Sequence, residues 1–396
     1  MALLPSAALA QTATTLLDFS ANGGIEPYAR MIVDSAGNLY GDTSTGGKPT
    51  AVNPYPAGTV FELSPGGKRG TWTETVLYTF LGGADGSEPT GALLADSKGD
   101  LYGTTFLGGA GGDGTVFELK MPKPGKKWKK TILFSFTGTN GNQPFAGLVA
   151  DKAGDLFGVT TTGGQFNQGA VFEIKAKTLA ESVVYSFTGP EGNTPNGGLL
   201  IDSNGNLFGT ASSSSVAPYA GSVFELSPPG AGLSGWTFTE LHGFSGGADG
   251  GAPQGAMVED GSGNLYGATF GGTGYGNGTL FELSPSAGGY TYQVIFTFSG
   301  SVGSNPFGDL ALDASGNLWG SLLNSNDVNS SGALFVVTPP AGGAGTWSQT
   351  VSYLFNGSAG GYSPYAGLTL DGKGNVYGAN FSGGKSGVGT AFKFVP

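Results

Sequence analysis

The apolar positions of this chain recur in short runs rather than with the period of an amphipathic helix. A representative stretch reads Leu-Tyr-Gly-Thr-Thr (101–105), then a glycine-rich loop, then Thr-Val-Phe-Glu-Leu (115–119). A further run ends in Phe, as in 76–80. Short segments rich in aromatic and β-branched residues, bounded by Gly, Pro, Asn and Asp, are typical of β-strands. The pattern therefore predicts an all-β protein.

A repeat organises these strands. Seven times, a Pro is followed by an Asp seven residues later, and by a Gly preceded by an aromatic residue fourteen residues later. Successive copies of this Gly lie 51 to 62 residues apart. Four short strands in each unit of that length are the signature of a propeller blade. We therefore predict a seven-bladed β-propeller with four antiparallel strands per blade.

The two ends of the chain predict how the ring closes. The last copy runs through its third strand at 390–394, and a strand-like segment at 14–19 precedes the first Pro at the spacing that separates Phe136 from Pro144. We expect this N-terminal strand to join the C-terminal blade, which removes an exposed edge. The propeller then occupies 11–396 as a single domain, and 1–10 is a signal-peptide remnant or a flexible N-terminus.

Composition narrows the possible functions. The chain has no Cys and one His, which excludes thiol catalysis and a multi-His metal site. Its net charge of -11 gives no positive stripe for nucleic acid. The seven repeated Asp residues favour turn capping over metal binding, because Asp is a preferred turn residue. We expect no metal, no cofactor, no membrane-spanning segment and a monomer.

The repeat resembles the GloVer tandem repeats of exported bacterial proteins. The likeness covers about 14–396, and its specific part is the segment 101–119 described above. Looser likenesses exist to kelch and NHL-type propellers. The resemblance implies the propeller fold and a secreted, periplasmic or cell-surface location in a bacterium, and it implies no particular activity.

The residue after each repeated Pro is expected at the mouth of the central channel. These seven residues are Tyr28, Thr90, Phe145, Asn196, Gln254, Phe307 and Tyr365. Aromatic rings beside amides and a hydroxyl suit sugar recognition, in which rings stack and polar groups bind hydroxyls. The alternative is that they plug the channel. Tyr55, in the longer loop 46–58 of the first copy, is a further ligand-binding candidate.

Three charged residues interrupt the repeat near the same place. Arg30 and Asp309 stand where the other copies have Ala or Gly, and Asp42 stands where they have Thr, Val, Ala or Ser. Charges on inner strands are costly unless they are paired or used. Either Arg30 pairs with Asp42 or Asp309 for structural reasons, or the three residues line a catalytic site.

Three hypotheses of function follow. The first is an exported binding module for a polysaccharide or cell-surface glycan, bound at the channel mouth. The second is a metal-independent glycoside hydrolase or polysaccharide lyase that uses Asp42 and Asp309 with Arg30. The third is a structural component of a surface assembly. Because glycoside hydrolysis needs two carboxyl groups at a defined separation, convergence of these three residues on one open pocket separates the first two hypotheses.

Overall fold

The computed structural model describes residues 13–49, 54, 56–66, 70–216, 220–230, 234–271, 276–299, 303–325, 331–343, 345–357 and 360–396. Seven antiparallel sheets, one for each repeat, form a propeller and confirm the predicted fold. We number them blades 1 to 7 in the order of the repeats and name the strands of each blade inner, second, third and outer. The segments 1–10 and Tyr55, for which the sequence made predictions, lie outside the described residues.

The strands of each blade follow one another along the chain. Blade 1 consists of Ile32–Val33, Leu39–Thr43, Thr59–Pro65 and Trp72–Thr79. Blade 2 consists of Leu94–Ala95, Leu101–Thr105, Thr115–Lys120 and Lys129–Ser135. Blade 3 consists of Val149–Ala150, Leu156–Thr160, Ala170–Ile174 and Glu181–Ser186. Blade 4 consists of Leu200–Ile201, Leu207–Ala211, Ser222–Ser227 and Thr237–Gly243. Blade 5 has a two-part inner strand, Gly251–Pro253 and Val258–Glu259, followed by Leu265–Gly271, Thr279–Ser286 and Gly289–Thr297. Blade 6 consists of Ser304–Leu312, Leu318–Asn324, Ala333–Thr338 and Ser348–Leu354. Blade 7 consists of Thr369–Leu370, Val376–Asn380, Thr390–Phe394 and, as its outer strand, Ala13–Asp18. The helical segments of the described chain are the short 3₁₀ turns Gly83–Asp85 and Ala341–Gly343.

The N-terminal strand closes the ring as the sequence predicts. Ala13–Asp18 pairs antiparallel with Thr390–Phe394 and supplies the outer strand of blade 7. Directly after it, Phe19 is fully buried, with its ring 5.2 Å from that of Phe61 in blade 1. The closing blade therefore contacts its neighbour through the same kind of aromatic pair as the others.

That aromatic pair recurs at every boundary between blades. A Phe after the outer strand of one blade packs against a Phe in the third strand of the next, with ring centroids 5.0 to 5.5 Å apart. The third-strand Phe also explains the Gly of the aromatic–Gly motif. A Cβ atom on Gly103 would lie 2.6 Å from Cζ of Phe117, so a larger residue does not fit.

The repeated Asp residues cap the turn between the inner and second strands. In blade 1, Oδ1 of Asp34 accepts hydrogen bonds from the backbone N–H groups of Ala36 and Asn38. Its Oδ2 accepts from the Asn38 amide and the Tyr40 hydroxyl. Burial raises the pKa of Asp34, but these bonds outweigh it and lower the pKa overall. The carboxylate is thus satisfied within its own turn, as the sequence predicts.

In five of the seven blades, the inner strand is only two residues long. In blade 2, the run 91–95 that follows Pro89 pairs with the second strand only at Leu94–Ala95. The preceding residues approach the adjacent blade instead, since a Cβ on Gly91 would lie 2.4 Å from the carbonyl oxygen of Ala146. Because the inner segments of all seven blades converge on one axis, they have little space, and the segment after each Pro forms the channel wall.

Candidate functional site

A repeated backbone feature holds the residue after each Pro at the channel mouth. The residue before each of the seven prolines has a positive φ, between 51° and 62°. Its N–H donates to a loop carbonyl of the preceding blade, as in Glu88 to Ala57 at 3.0 Å and Gln143 to Asp113 at 2.9 Å. The left-handed conformation is costly for residues other than Gly, so it persists only where its surroundings enforce it. These bonds anchor the start of each inner segment on the neighbouring blade.

The four aromatic residues predicted at the mouth meet one another across the channel. Tyr28 and Tyr365 stack with ring centroids 5.3 Å apart and an interplanar angle of 9°. Phe145 lies edge-on to Tyr28 at 5.1 Å, and Phe307 contacts both tyrosines, at 6.2 and 5.2 Å. Burial, with the charge of Tyr365 as a second cause, raises the pKa of Tyr28 far above its ordinary value. The four rings remain half-buried, so they narrow the mouth and still present aromatic surface.

Three further aromatics, which the sequence interpretation missed, support this cluster. Phe106 packs edge-on to Phe145, Phe270 packs on Phe307, and Phe381 packs on Tyr28 and Tyr365, with centroids 5.4 to 6.0 Å apart. All three stand three residues after the Gly of the aromatic–Gly motif. The equivalent residues in the other blades are Ser44, Thr161, Ser212 and Leu323. In the sequence, the signal that could have located these three aromatics is that the residue type at this position differs among the seven copies.

The polar members of the ring are only partly engaged. The Thr90 hydroxyl donates to the carbonyl oxygen of Phe145 at 3.1 Å. The Asn196 amide donates weakly to Ser212 Oγ at 3.3 Å and to Gln254 Oε1 at 3.4 Å. Within the described part of the chain, the amide nitrogen of Gln254 has no hydrogen-bond partner. The polar side of the ring therefore retains donors for a ligand.

Arg30 and Asp309 form an ion pair one layer below this ring. Arg30 Nε donates to Asp309 Oδ2 at 3.2 Å, and the backbone N–H of Ala256 donates to Asp309 Oδ1 at 2.8 Å. The ion pair links blade 1 to blade 6. Blade 7 lies between these two blades, and at this level of the channel it contributes Gly367. A Cβ on Gly367 would lie 2.7 Å from that of Asp309, so the pair depends on this Gly.

The ring and the layer below it enclose one cavity of about 410 Å³. All seven ring residues line it, and so do all seven residues three positions after each Pro, including Arg30 and Asp309. It continues along the inner segments of blades 1 to 3 as far as Val33, Ala95 and Val149. Among the described residues that line it, Arg30 and Asp309 are the charged ones.

Asp42 does not join this site. Its carboxyl group is buried, at 2% exposure, and neither oxygen has a hydrogen-bond partner in the described structure. Burial raises its pKa well above the ordinary value. Arg30 therefore pairs with Asp309 rather than Asp42, and of the two candidate catalytic carboxylates only Asp309 reaches the cavity.

The fold and the cavity define a closed seven-bladed β-propeller with a candidate ligand site on its axis. No helix of the described chain is both long and apolar enough to cross a membrane. The sequence profile of the Gloeobacter/Verrucomicrobia repeat matches residues 6–224 and 182–392, and the chain belongs to this family. The resemblance to GloVer repeats is thereby confirmed. No curated protein matches the sequence.

Solved structures share the fold at low sequence identity. A putative 6-phosphogluconolactonase from Bacteroides uniformis has a TM-score of 0.53 and 14% identity, over 81% of this chain and 84% of that one. The extracellular domain of a putative hybrid two component system from B. thetaiotaomicron has a TM-score of 0.56 and 11% identity, over 96% of this chain and 39% of that one. PorZ, a bacterial surface component of the type-IX secretion system of Porphyromonas gingivalis, has a TM-score of 0.53 and 15% identity, over 92% of this chain and 46% of that one. This chain thus spans less than half of the latter two, and the likenesses show the fold alone.

Proposed function

We propose that this protein is an exported binding module that holds a carbohydrate in the mouth of its central channel. The observation that carries the proposal is a single cavity lined by an aromatic cluster, which includes the stacked pair Tyr28 and Tyr365, and by the polar side chains of Thr90, Asn196 and Gln254. Sugars present apolar ring faces and many hydroxyls, and such a surface complements both. An extracellular location is supported by the repeat family and by extracellular and surface proteins among the structural neighbours.

The hydrolase or lyase hypothesis has less support. It required two carboxyl groups on one open pocket. In the part of the chain that the structure describes, Asp309 is the only carboxylate lining the cavity, and both of its oxygens accept hydrogen bonds. Asp42 is buried without access to it. Binding therefore fits the described residues better than catalysis.

A structural component of a surface assembly is expected to show exposed strand edges or a flat apolar patch on the outer wall of the ring. The exposed apolar residues of the outer strands are instead single side chains on separate blades: Val76, Val183 and Leu354, at 37 to 48% exposure. Isolated residues of this kind are ordinary on soluble proteins. This observation gives the binding hypothesis preference.

A panel of plant, fungal and bacterial polysaccharides tests the proposal. Purified protein is incubated with each polymer, and retention and product release are read in the same tubes. We expect retention without new reducing ends or unsaturated products, and at least tenfold weaker binding for Phe307→Ala, which is about 1.4 kcal/mol.

Phe166→Ala is the matched control, since Phe166 is a 48% exposed aromatic in a blade 3 loop that does not line the cavity. If products are released, the protein is an enzyme, and the proposal of a binding module without catalysis is wrong. Retention of no polymer, or equal losses in both variants, would contradict the proposal.

A further inference from the structure

We propose that the ligand of the channel cavity carries a carboxylate, as a uronic acid does, and that Arg30 holds this group. The inference rests on the proposed carbohydrate-binding function and specifies its ligand class. It starts from the one basic side chain of the cavity, which a neutral sugar would not require.

The Arg30 guanidinium is only partly used within the protein. Its side chain is 37% exposed although it lies in the channel wall, and its one ion pair runs through Nε. Among the described residues, its two terminal nitrogens have no hydrogen-bond partner. A guanidinium has five N–H donors in a fixed fork, so most of its donors remain available.

Asp309 positions this arginine. Its two oxygens are held by Arg30 and by the Ala256 backbone, which fixes the carboxylate between blades 5 and 1. Because Asp309 occupies Nε, the pair of terminal nitrogens is the free edge of the guanidinium. That edge matches a planar carboxylate through two parallel hydrogen bonds. Asp309 is thus a positioning residue, and Arg30 is the contact to the ligand.

The surrounding layer leaves room for such a group. At the level of Arg30, blades 2 to 5 contribute only Ala92, Gly147, Gly198 and Ala256 to the cavity. The sugar ring would lie above, against the aromatic faces of Tyr28 and Phe307. One guanidinium balanced by one carboxylate leaves the pocket locally neutral. A singly charged group suits it better than a phosphate with two charges.

The net charge of -11 does not prevent this contact. Exposed charges more than about 8 Å apart are largely screened at physiological salt. Recognition here depends on a local bidentate contact rather than on the field of the whole protein. The contact should therefore discriminate the charged group itself.

Calorimetric titration of the whole chain tests the inference. The probes are short oligomers of galacturonate, mannuronate and glucuronate, each compared with its own methyl ester, which removes the charge and keeps the sugar. We expect at least one acid to bind tenfold or more tightly than its ester. Arg30→Gln should abolish that preference, and Arg30→Lys should restore only part of it because a lysine lacks the fork. Lys127→Gln, at an exposed loop position, is the charge-matched control and should bind like the wild type.

The outcomes separate this inference from the proposed function. If acids and esters bind equally, or only neutral polysaccharides bind, the channel binds sugar but the carboxylate assignment is wrong. If no saccharide binds, both fail. A sulfated polysaccharide that binds as tightly as any acid would also overturn the assignment, since recognition would then depend on negative charge alone and not on the carboxylate. The comparison of acid with ester needs no variant, so it stands even if Arg30→Gln does not fold.

Discussion

Asp42 provides a test of the structure that is independent of any ligand. Its carboxyl group is buried without a partner, whereas the equivalent residues of the other blades are neutral: Thr104, Val159, Thr210, Ala268, Ser321 and Ala379. Two of these hydroxyls donate to a carbonyl of the next blade, Thr104 to Ala146 at 3.1 Å and Ser321 to Pro364 at 2.8 Å. We therefore expect Asp42→Thr to stabilise the protein at neutral pH.

The size of the effect follows from proton linkage. Burial raises the pKa of Asp42 in the folded protein, so the native state keeps a proton that the unfolded chain releases above about pH 3.9. Stability is complete below that pH and is lost as pH rises towards the native pKa, by up to about 1.4 kcal/mol per pH unit. With an unfolding entropy of about 0.8 kcal/mol/K for a chain of this length, each pH unit corresponds to about 1.7 °C in Tm.

Thermal unfolding from pH 3.5 to pH 8 measures this difference. The Tm of Asp42→Thr should lie near that of the wild type at pH 3.5 and rise above it as pH increases, until the difference levels off at the native pKa of Asp42. Asp42→Asn should show the same pH profile, because it removes the charge and keeps the shape. A difference in Tm that does not change with pH, or a Thr variant less stable than the wild type at pH 7, would refute the reasoning.

Two further predictions concern the scaffold. The ring of His242 stacks on that of Tyr292, with the ring centroids 3.6 Å apart. Burial lowers the pKa of His242, although the charge of Asp249 acts in the opposite direction. The stability that the neutral His242 contributes is therefore present above about pH 6.5 and is lost as pH falls. His242→Phe should therefore lose less Tm than the wild type between pH 7 and pH 5, and an equal loss in both would contradict this. Ala252 has a φ of 51°, so Ala252→Gly should raise the free energy of unfolding by about 0.5–1 kcal/mol in a urea titration. Ala153→Gly, at an exposed turn position without positive φ, should lower it, and the same sign for both variants would exclude backbone strain as the cause.

The fold was predictable because its determinants are local and occur seven times. The spacing from Pro to Asp to Gly locates each turn, and the second strand predicted over 101–105 in blade 2 is the strand observed there. The N-terminal closure was predictable for the same reason, since Phe19 stands eight residues before its Pro, the spacing found in three of the other copies. Repetition compensates for the weakness of any single strand signal.

The site was predictable only in part. The repeat assigns the residue after each Pro to one level of the ring, and the structure brings all seven to one cavity. Sequence spacing gives no distance across the axis, however, so it left open whether Arg30 pairs with Asp42 or Asp309. It also gives no measure of burial along the second strand. Asp42 is one residue beyond the aromatic–Gly motif and is buried, whereas Arg30 and Asp309 line the cavity.

The distribution of variable positions indicates where the specificity of the proposed binding site would reside. At the blade boundaries, the same Phe pair and Gly occur in every copy, because each contact is set by close packing against the next blade. At the residue directly after each Pro, by contrast, aromatic, amide and hydroxyl side chains occur without a common type, and two positions further Arg30 and Asp309 replace the Ala or Gly of the other copies. These side chains contact mainly one another and the cavity, so substitutions there leave the seven boundaries intact. A scaffold of this kind permits its channel lining to change its ligand while the ring stays closed, and the residues that break the repeat are therefore the ones to vary first.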